Sequence, residues 1–363
     1  IMMSYYSELY TFGELKKTVP EIRYTSQKKN RYGENRLRAD GLLEYPCRTL
    51  ASLFSPAIFY GEKLSSIRKI IKQKIQEEFA RNSLIRTIPQ QGRNNARLVL
   101  TLMKILDGKL VENLTGLYVP SNALDVMTDI AIASPAVCAY RQSGNEEDAQ
   151  MVAKAVVSVF NKPESAAVID LMYNKKNDDD YYESVLDYCA IGNLQAVLDE
   201  YLYMAPEDKK LGQVVTDAII GTSNLSIDTT DSLGKEEKKQ LMRCHFAIPF
   251  IDKTVTDKSV ARTTNIRKAF NSPFRPFLLS TTSIGQEGLD FHWYARKIVH
   301  WNLPSNPVDL EQREGRINRF KCLAIRRNVV KLYGSETYHT WDELFSLAYS
   351  NLKGTHSDIV PYW

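Results

Sequence analysis

The sequence predicts an α/β protein in two parts, a mainly helical stretch and then a carboxyl-terminal region built on a parallel sheet. Three observations carry this. Helical periodicity runs through residues 61–221; two short apolar runs, "RPFLLSTTS" and "KIVHWNLP", have the length and residue types of buried strands; and each lies beside a helix-like stretch, "ARTTNIRKAF" and "VDLEQREGRINRF". Strand, loop, helix repeated twice is the signature of a parallel sheet, whose ligands sit at the carboxyl ends of its strands.

The first 60 residues mix aromatics with basic runs such as "SQKKNRYGENRLR" and show no firm period, so they read as an irregular edge or arm and a possible part of the lobe that follows. From Glu62 the pattern sharpens: Leu64, Ile67, Ile71, Ile75 and Phe79 recur at helical spacing. Further helices are expected over 122–133, 147–160, 164–173 and 181–203, parted by "RQSGNEED", "NKKNDDD" and "APEDKK". Residues 222–240, polar with Gly and Ser, read as a linker, and 241–363 as the sheet-bearing lobe.

With 363 residues, 44% hydrophobic and 25% charged, the composition is that of a folding globular chain. No apolar run reaches the ~20 residues of a membrane span, and "IMMSYYSELYTF" lacks the parts of a signal peptide, so a cytoplasmic protein without a membrane partner is expected. Five scattered cysteines, odd in number and without C-x-x-C spacing, argue against disulfides and structural zinc. A net charge of +4 neither demands nor excludes nucleic acid.

Two stretches carry chemistry. "STTSIGQEGLDFH", residues 280–292, follows the first apolar run and offers hydroxyls and two glycines where backbone comes close to a ligand, as phosphate cradles do. "NLPSNPVDLEQREGRINRF", residues 302–320, follows the second, turns at "NLPSNP" and enters a helix through Asp309. Gln312, Arg316 and Arg319 are four and three residues apart, which on a helix places them on one face, and Gly315 would let a neighbouring surface approach. Arginines fixed beside a polar loop suit phosphoryl transfer, where an arginine finger contributes ~10³ to 10⁵ in rate.

"QREGRINR" resembles motif VI, Q-x-x-G-R-x-x-R, of superfamily 2 helicases, and "STTSIGQEGLD" resembles their motif V. "LPSNPVDLEQREGRINR" is similar above all to the bacterial RapA-like branch of Swi/Snf-type translocases. The resemblance implies a parallel-sheet RecA-like helicase lobe, the second of two, here with a large mainly α-helical elaboration. It implies that Arg316 and Arg319 are the catalytic arginines facing the phosphates of ATP, with Gln312, Gly315, Gly288 and Asp290 on the nucleotide side. Thr282, Ser283 and Gly285 would touch the sugar–phosphate track of a nucleic acid, expected to be duplex DNA. After motif VI the Swi/Snf pattern continues I-G-Q, whereas this chain reads Phe320, Lys321, Cys322, which leaves the subfamily open.

A complete motor also needs a Walker A loop and an acidic box for Mg²⁺. No G-x-x-x-x-G-K-[ST] occurs, and "LDEY", residues 198–201, imitates the acidic box on an amphipathic helical stretch. ATP and Mg²⁺ are therefore expected to be shared with the N-terminal RecA-like lobe of the same protein, which would supply the Mg²⁺ ligands, and this chain alone is expected to be inactive. A non-catalytic helicase-like scaffold and an RNA helicase lobe stay open as alternatives. Without motif V, the arginines would read as a solvated helix face. His292 and His300 are expected to pack or cap rather than bind metal, and Trp293, Tyr294 and Trp301 to pack in a core.

Overall fold

A computed structural model describes residues 37, 41–56, 62–89, 92, 96–109, 116–173, 181–205, 210–220, 223–227, 240–244, 267–274, 279 and 291–351. The chain divides into two compact units, one of Ile1–Val214 with Ser335–His339 and one of Val215–Gly334 with Thr340–Trp363.

The first unit is helical around one apolar core. A 3-10 turn at Leu42–Glu44 leads into α1 (Arg48–Ser52), with Leu42, Leu43 and Leu50 buried, so this part of the expected irregular arm is core. Asp107 fixes the start of α1 by accepting from the Arg48 and Thr49 N–H groups at 3.1 and 2.9 Å, which satisfies donors that a helix start otherwise leaves bare. The helix read from Glu62 onward is α2 (Leu64–Arg81), and its buried residues are Ile67, Ile71, Ile75 and Phe79. That face packs on α4 (Ala123–Ala133). Arg68 of α2 adds ion pairs to Asp129 of α4 at 2.8 Å and to Asp187 at 2.5 Å.

Between α2 and α4 lies a β-α-β connection that periodicity did not indicate. β1 (Ile85–Ile88), α3 (Ala96–Leu106) and β2 (Leu117–Pro120) follow in order, and the strands pair in parallel with Ile85 opposite Leu117. Four-residue strands are too short for alternation to show against background. The parallel pairing among the described residues therefore sits in the first unit, not in the carboxyl-terminal region where it was expected.

α5 (Pro135–Ser143) begins with Pro135 as its first residue and stops at Gly144, whose φ of 65° only glycine adopts without cost. Asn145 then caps α6 (Glu146–Phe160) by accepting from Asp148 N–H at 2.9 Å. α7 (Pro163–Tyr173) follows. The single helix expected over 181–203 is two, α8 (Tyr181–Ile191) and α9 (Leu194–Met204). Asn193, at φ 46°, ends one and caps the other through Ala196 N–H at 3.2 Å. The "LDEY" residues lie within α9, and α10 (Leu211–Ile220) follows it.

A buried polar bridge ties four of these elements together. Arg141 of α5 donates to the Ala51 and Ala131 carbonyls at 3.0 and 2.7 Å and to Gln195 Oε1 at 2.6 Å, while its guanidinium lies 4.1 Å from the Phe54 ring. Gln195 passes the link on, its amide donating to Asp199 at 2.8 Å. Burial pushes the Asp199 carboxyl up to about 6, against the hydrogen bond from Gln195 and the attraction of Arg141.

The second unit carries β3 (Ser223–Ile227) and β4 (Gln240–Cys244), an antiparallel pair with Ser223 opposite Cys244. Part of the stretch read as a linker, 222–240, is thus sheet. Of the two apolar runs, "RPFLLSTTS" lies outside the described residues except Leu279. "KIVHWNLP" is no strand: residues 297–304 carry no ladder, and Val299, Trp301 and Leu303 are 88%, 95% and 73% exposed. An apolar run is a strand only where a neighbour takes its backbone groups, and none among the described residues does so here. α11 (Pro307–Glu314), α12 (Leu323–Tyr333) and α13 (Trp341–Ser350) complete the unit, with α12 packed on α13.

Candidate functional site

α11 opens on two signals readable in "NPVD". Asn306 accepts from Val308 N–H at 3.0 Å, and Pro307 takes the first helical position, where a missing N–H costs nothing. The helix ends at Glu314. Gly315 N–H still closes a helical turn onto Glu311 at 2.8 Å, but Arg316 and Ile317 donate three residues back, to Arg313 and Glu314, at 3.2 Å each. Cys322 then donates to Arg319 at 2.9 Å. Residues 315–322 leave the helix, with turns at 315–317 and at 320–321.

This corrects the expected geometry. Only Gln312 belongs to α11; Gly315 is its C-cap, Arg316 lies in the following turn and Arg319 beyond it, so the three polar side chains do not share one helical face. Gly315 has φ −60°, and a Cβ there would meet only the Glu311 and Gln312 carbonyls, at 3.4 and 3.5 Å. Among the described residues no neighbouring surface uses the space. The glycine's service is to end a helix cheaply, since glycine is a poor interior residue.

The turns are held from below by Arg326, which sequence reasoning missed. It is fully buried on α12, donates to the Lys321 carbonyl at 2.6 Å and the Trp293 carbonyl at 2.5 Å, and places its guanidinium 5.4 Å from the Tyr294 ring. The available signal was an arginine three residues after Leu323 and three before Val329, a core position on an amphipathic helix. Around Arg326 the chain after motif V is stitched to motif VI. Phe291 N–H donates to the Arg316 carbonyl at 3.2 Å, and Leu323 N–H to the His292 carbonyl at 3.0 Å.

Thus Phe291, the residue after Asp290, is bonded to Arg316. Within this frame the Arg316 side chain is half-buried, and its Nε is buried without a hydrogen-bond partner among the described residues. A buried donor left unmet costs about 1–3 kcal/mol, and an anionic oxygen would remove that cost. Arg319 and Gln312 are exposed. Thr282, Ser283, Gly285, Gly288 and Asp290 lie outside the described residues.

His292 and His300 are half-buried, and no group of three His, Cys, Asp or Glu among the described residues could hold a metal ion. Trp293 and Tyr294 are half-buried beside Arg326, whereas Trp301 is solvent-exposed and corrects the expectation of core packing. In "LDEY", Asp199 and Glu200 are committed to the helical core, Asp199 through Gln195 and Glu200 by burial at 1% exposure.

Residues 221–321 match the family model of the helicase conserved C-terminal domain. The match supports a helicase-type C-terminal lobe over that stretch, and with it a RecA-like fold. It contains both motifs and ends at Lys321, the residue whose carbonyl Arg326 holds. No curated protein and no solved structure matches the chain.

Proposed function

We propose that this chain supplies the C-terminal motor lobe of an ATP-dependent nucleic-acid translocase of superfamily 2, of the bacterial RapA-like Swi/Snf type, acting on duplex DNA in the cytoplasm. The observation that carries the reading is Arg316: a guanidinium whose Nε is buried without a hydrogen-bond partner among the described residues, on backbone bonded to the residue that follows motif V. In phosphoryl transfer, negative charge spreads over the oxygens of the transferred group, and a fixed cation facing them stabilises that change without rearranging. Arg316 fits this role because its turn is braced by Arg326, with Arg319 as the second cation and Gln312 and Gly315 beside them.

ATP with Mg²⁺ supplies the reacting phosphates; the Mg²⁺ ligands and the Walker A loop belong to an N-terminal RecA-like lobe of the same protein. Gly288 and Asp290 complete the nucleotide side, and Thr282, Ser283 and Gly285 hold the nucleic-acid backbone. The test is ATP turnover by the protein carrying both lobes, with and without duplex DNA or structured RNA, beside Arg316→Ala and this chain alone. DNA-stimulated turnover that falls at least about a hundredfold in Arg316→Ala, and is absent from the chain alone, supports the reading. Stimulation by RNA alone would make it an RNA motor. Normal turnover in Arg316→Ala, or none in the intact protein, would make the lobe a helicase-like scaffold.

A further inference from the structure

Residues 295–304 run without strand pairing among the described residues, with a bend at Trp301 and Asn302. Lys297, Val299, Trp301, Asn302 and Leu303 are exposed, while Arg296, Ile298 and His300 are half-buried. A tryptophan at 95% exposure is exceptional, because its large ring is ordinarily covered. Apolar side chains gathered on one exposed edge mark a binding surface rather than scattered surface residues.

The surroundings narrow the partner. Residues 291–334 hold nine Lys and Arg against three Asp and Glu, a local excess of +6 in a chain whose net charge is +4. The Asn302 carbonyl, next to Trp301, accepts from Arg313 Nη1 at 3.0 Å, so a guanidinium stands against the same stretch of backbone. An exposed apolar ring in a cation-rich stretch of chain calls for a polyanion that presents flat apolar faces of its own. Single-stranded nucleic acid has this chemistry; a duplex hides its base faces within the stack.

Resting on the proposed nucleic-acid function, we infer that Trp301 is a stacking platform for an unpaired base, with the neighbouring cations tracking the phosphates. The lobe then engages a strand that is open at this point, in addition to any backbone contact made by motif V. Arg313 positions the segment through the Asn302 carbonyl, and Lys297 is exposed on the same stretch of chain.

The test uses the 363-residue chain, a labelled oligothymidylate and a blunt duplex of equal length, with binding read by fluorescence anisotropy over a range of salt. Trp301→Ala is expected to weaken oligothymidylate binding about 5- to 100-fold, to leave the salt slope and duplex binding unchanged, and to be largely rescued by Trp301→Phe. Exposure of the ring makes the unfolding midpoint of both variants equal to that of the parent chain, which thermal unfolding checks. Unchanged oligothymidylate binding in Trp301→Ala overturns the stacking role, as does duplex binding without strand binding in the parent chain, while the proposed function stands in both cases. A parent chain that dimerises through this edge and becomes monomeric on Trp301→Ala would assign the surface to a second copy. Binding of neither nucleic acid by this chain overturns the stacking role, while the functional reading is decided separately by ATP turnover in the protein carrying both lobes.

Discussion

Lys321 holds a left-handed backbone, φ 54°, at the place where the Swi/Snf pattern has glycine. That conformation costs an L-residue about 1–2 kcal/mol, and its return here is modest. The ammonium is 3.5 Å from the mostly exposed Asp342 and 5.5 Å from the Phe320 and Phe345 rings. Exposed ion pairs contribute little, so Lys321→Gly is expected to stabilise the chain by about 0.5–1 kcal/mol in chemical denaturation. A loss of stability would mean that the side-chain contacts outweigh the backbone cost. At this scale the turn at "NLPSNP" was legible from short-range spacing, while the helix after it starts at Pro307 rather than at Asp309 because Asn306 caps it. Arg326 and Trp301 were hidden because their roles depend on which residues distant in sequence cover them.

Elements were legible in proportion to their length. α2 declares itself through four apolar residues on one stripe, whereas β1 and β2 are four residues each and leave no period to read. The helix expected over 181–203 failed for a local reason: "YCAIGNLQ" keeps its apolar spacing through a break that only Asn193's conformation reveals. The motif VI helix failed similarly, since arginines beyond Gly315 keep helical spacing on paper while the backbone tightens into turns. What joins those turns to α12 is Arg326. Arg326→Ala would strand the Lys321 and Trp293 carbonyls, and a loss of about 2–5 kcal/mol in the stability of the second unit is expected from thermal or denaturant unfolding. Arg326→Lys keeps the charge but not the fork, and should recover only part. An unaltered midpoint in Arg326→Ala would mean that α12 and the turns are held by other contacts.

For the molecule as a whole, stability is linked to pH through Asp199. Its folded carboxyl titrates at about 6, above the ordinary value of 3.8, so the fold favours the protonated acid. That contribution is full below about 3.8 and is lost as pH rises through about 6. Asp199→Asn keeps an acceptor for Gln195 and removes the charge. It is expected to stabilise the protein by about 1–3 kcal/mol at pH 8 and to change little near pH 4, measured by denaturation at both values. Equal effects at the two values would show that the carboxylate is not what burial penalises. Among the described residues the parallel strands lie in the first unit, a location that composition and motifs did not reveal.

The uneven charge of the sequence has a kinetic consequence. With +6 gathered in residues 291–334, the remainder of a +4 chain is net −2. Residues 61–110 hold a comparable excess, eleven Lys and Arg against four Asp and Glu, so a polyanion arriving by diffusion is drawn toward both stretches and repelled by the acidic remainder. Arrival of such a partner should slow steeply as added salt shortens the reach of these fields to about 10 Å at 0.1 M.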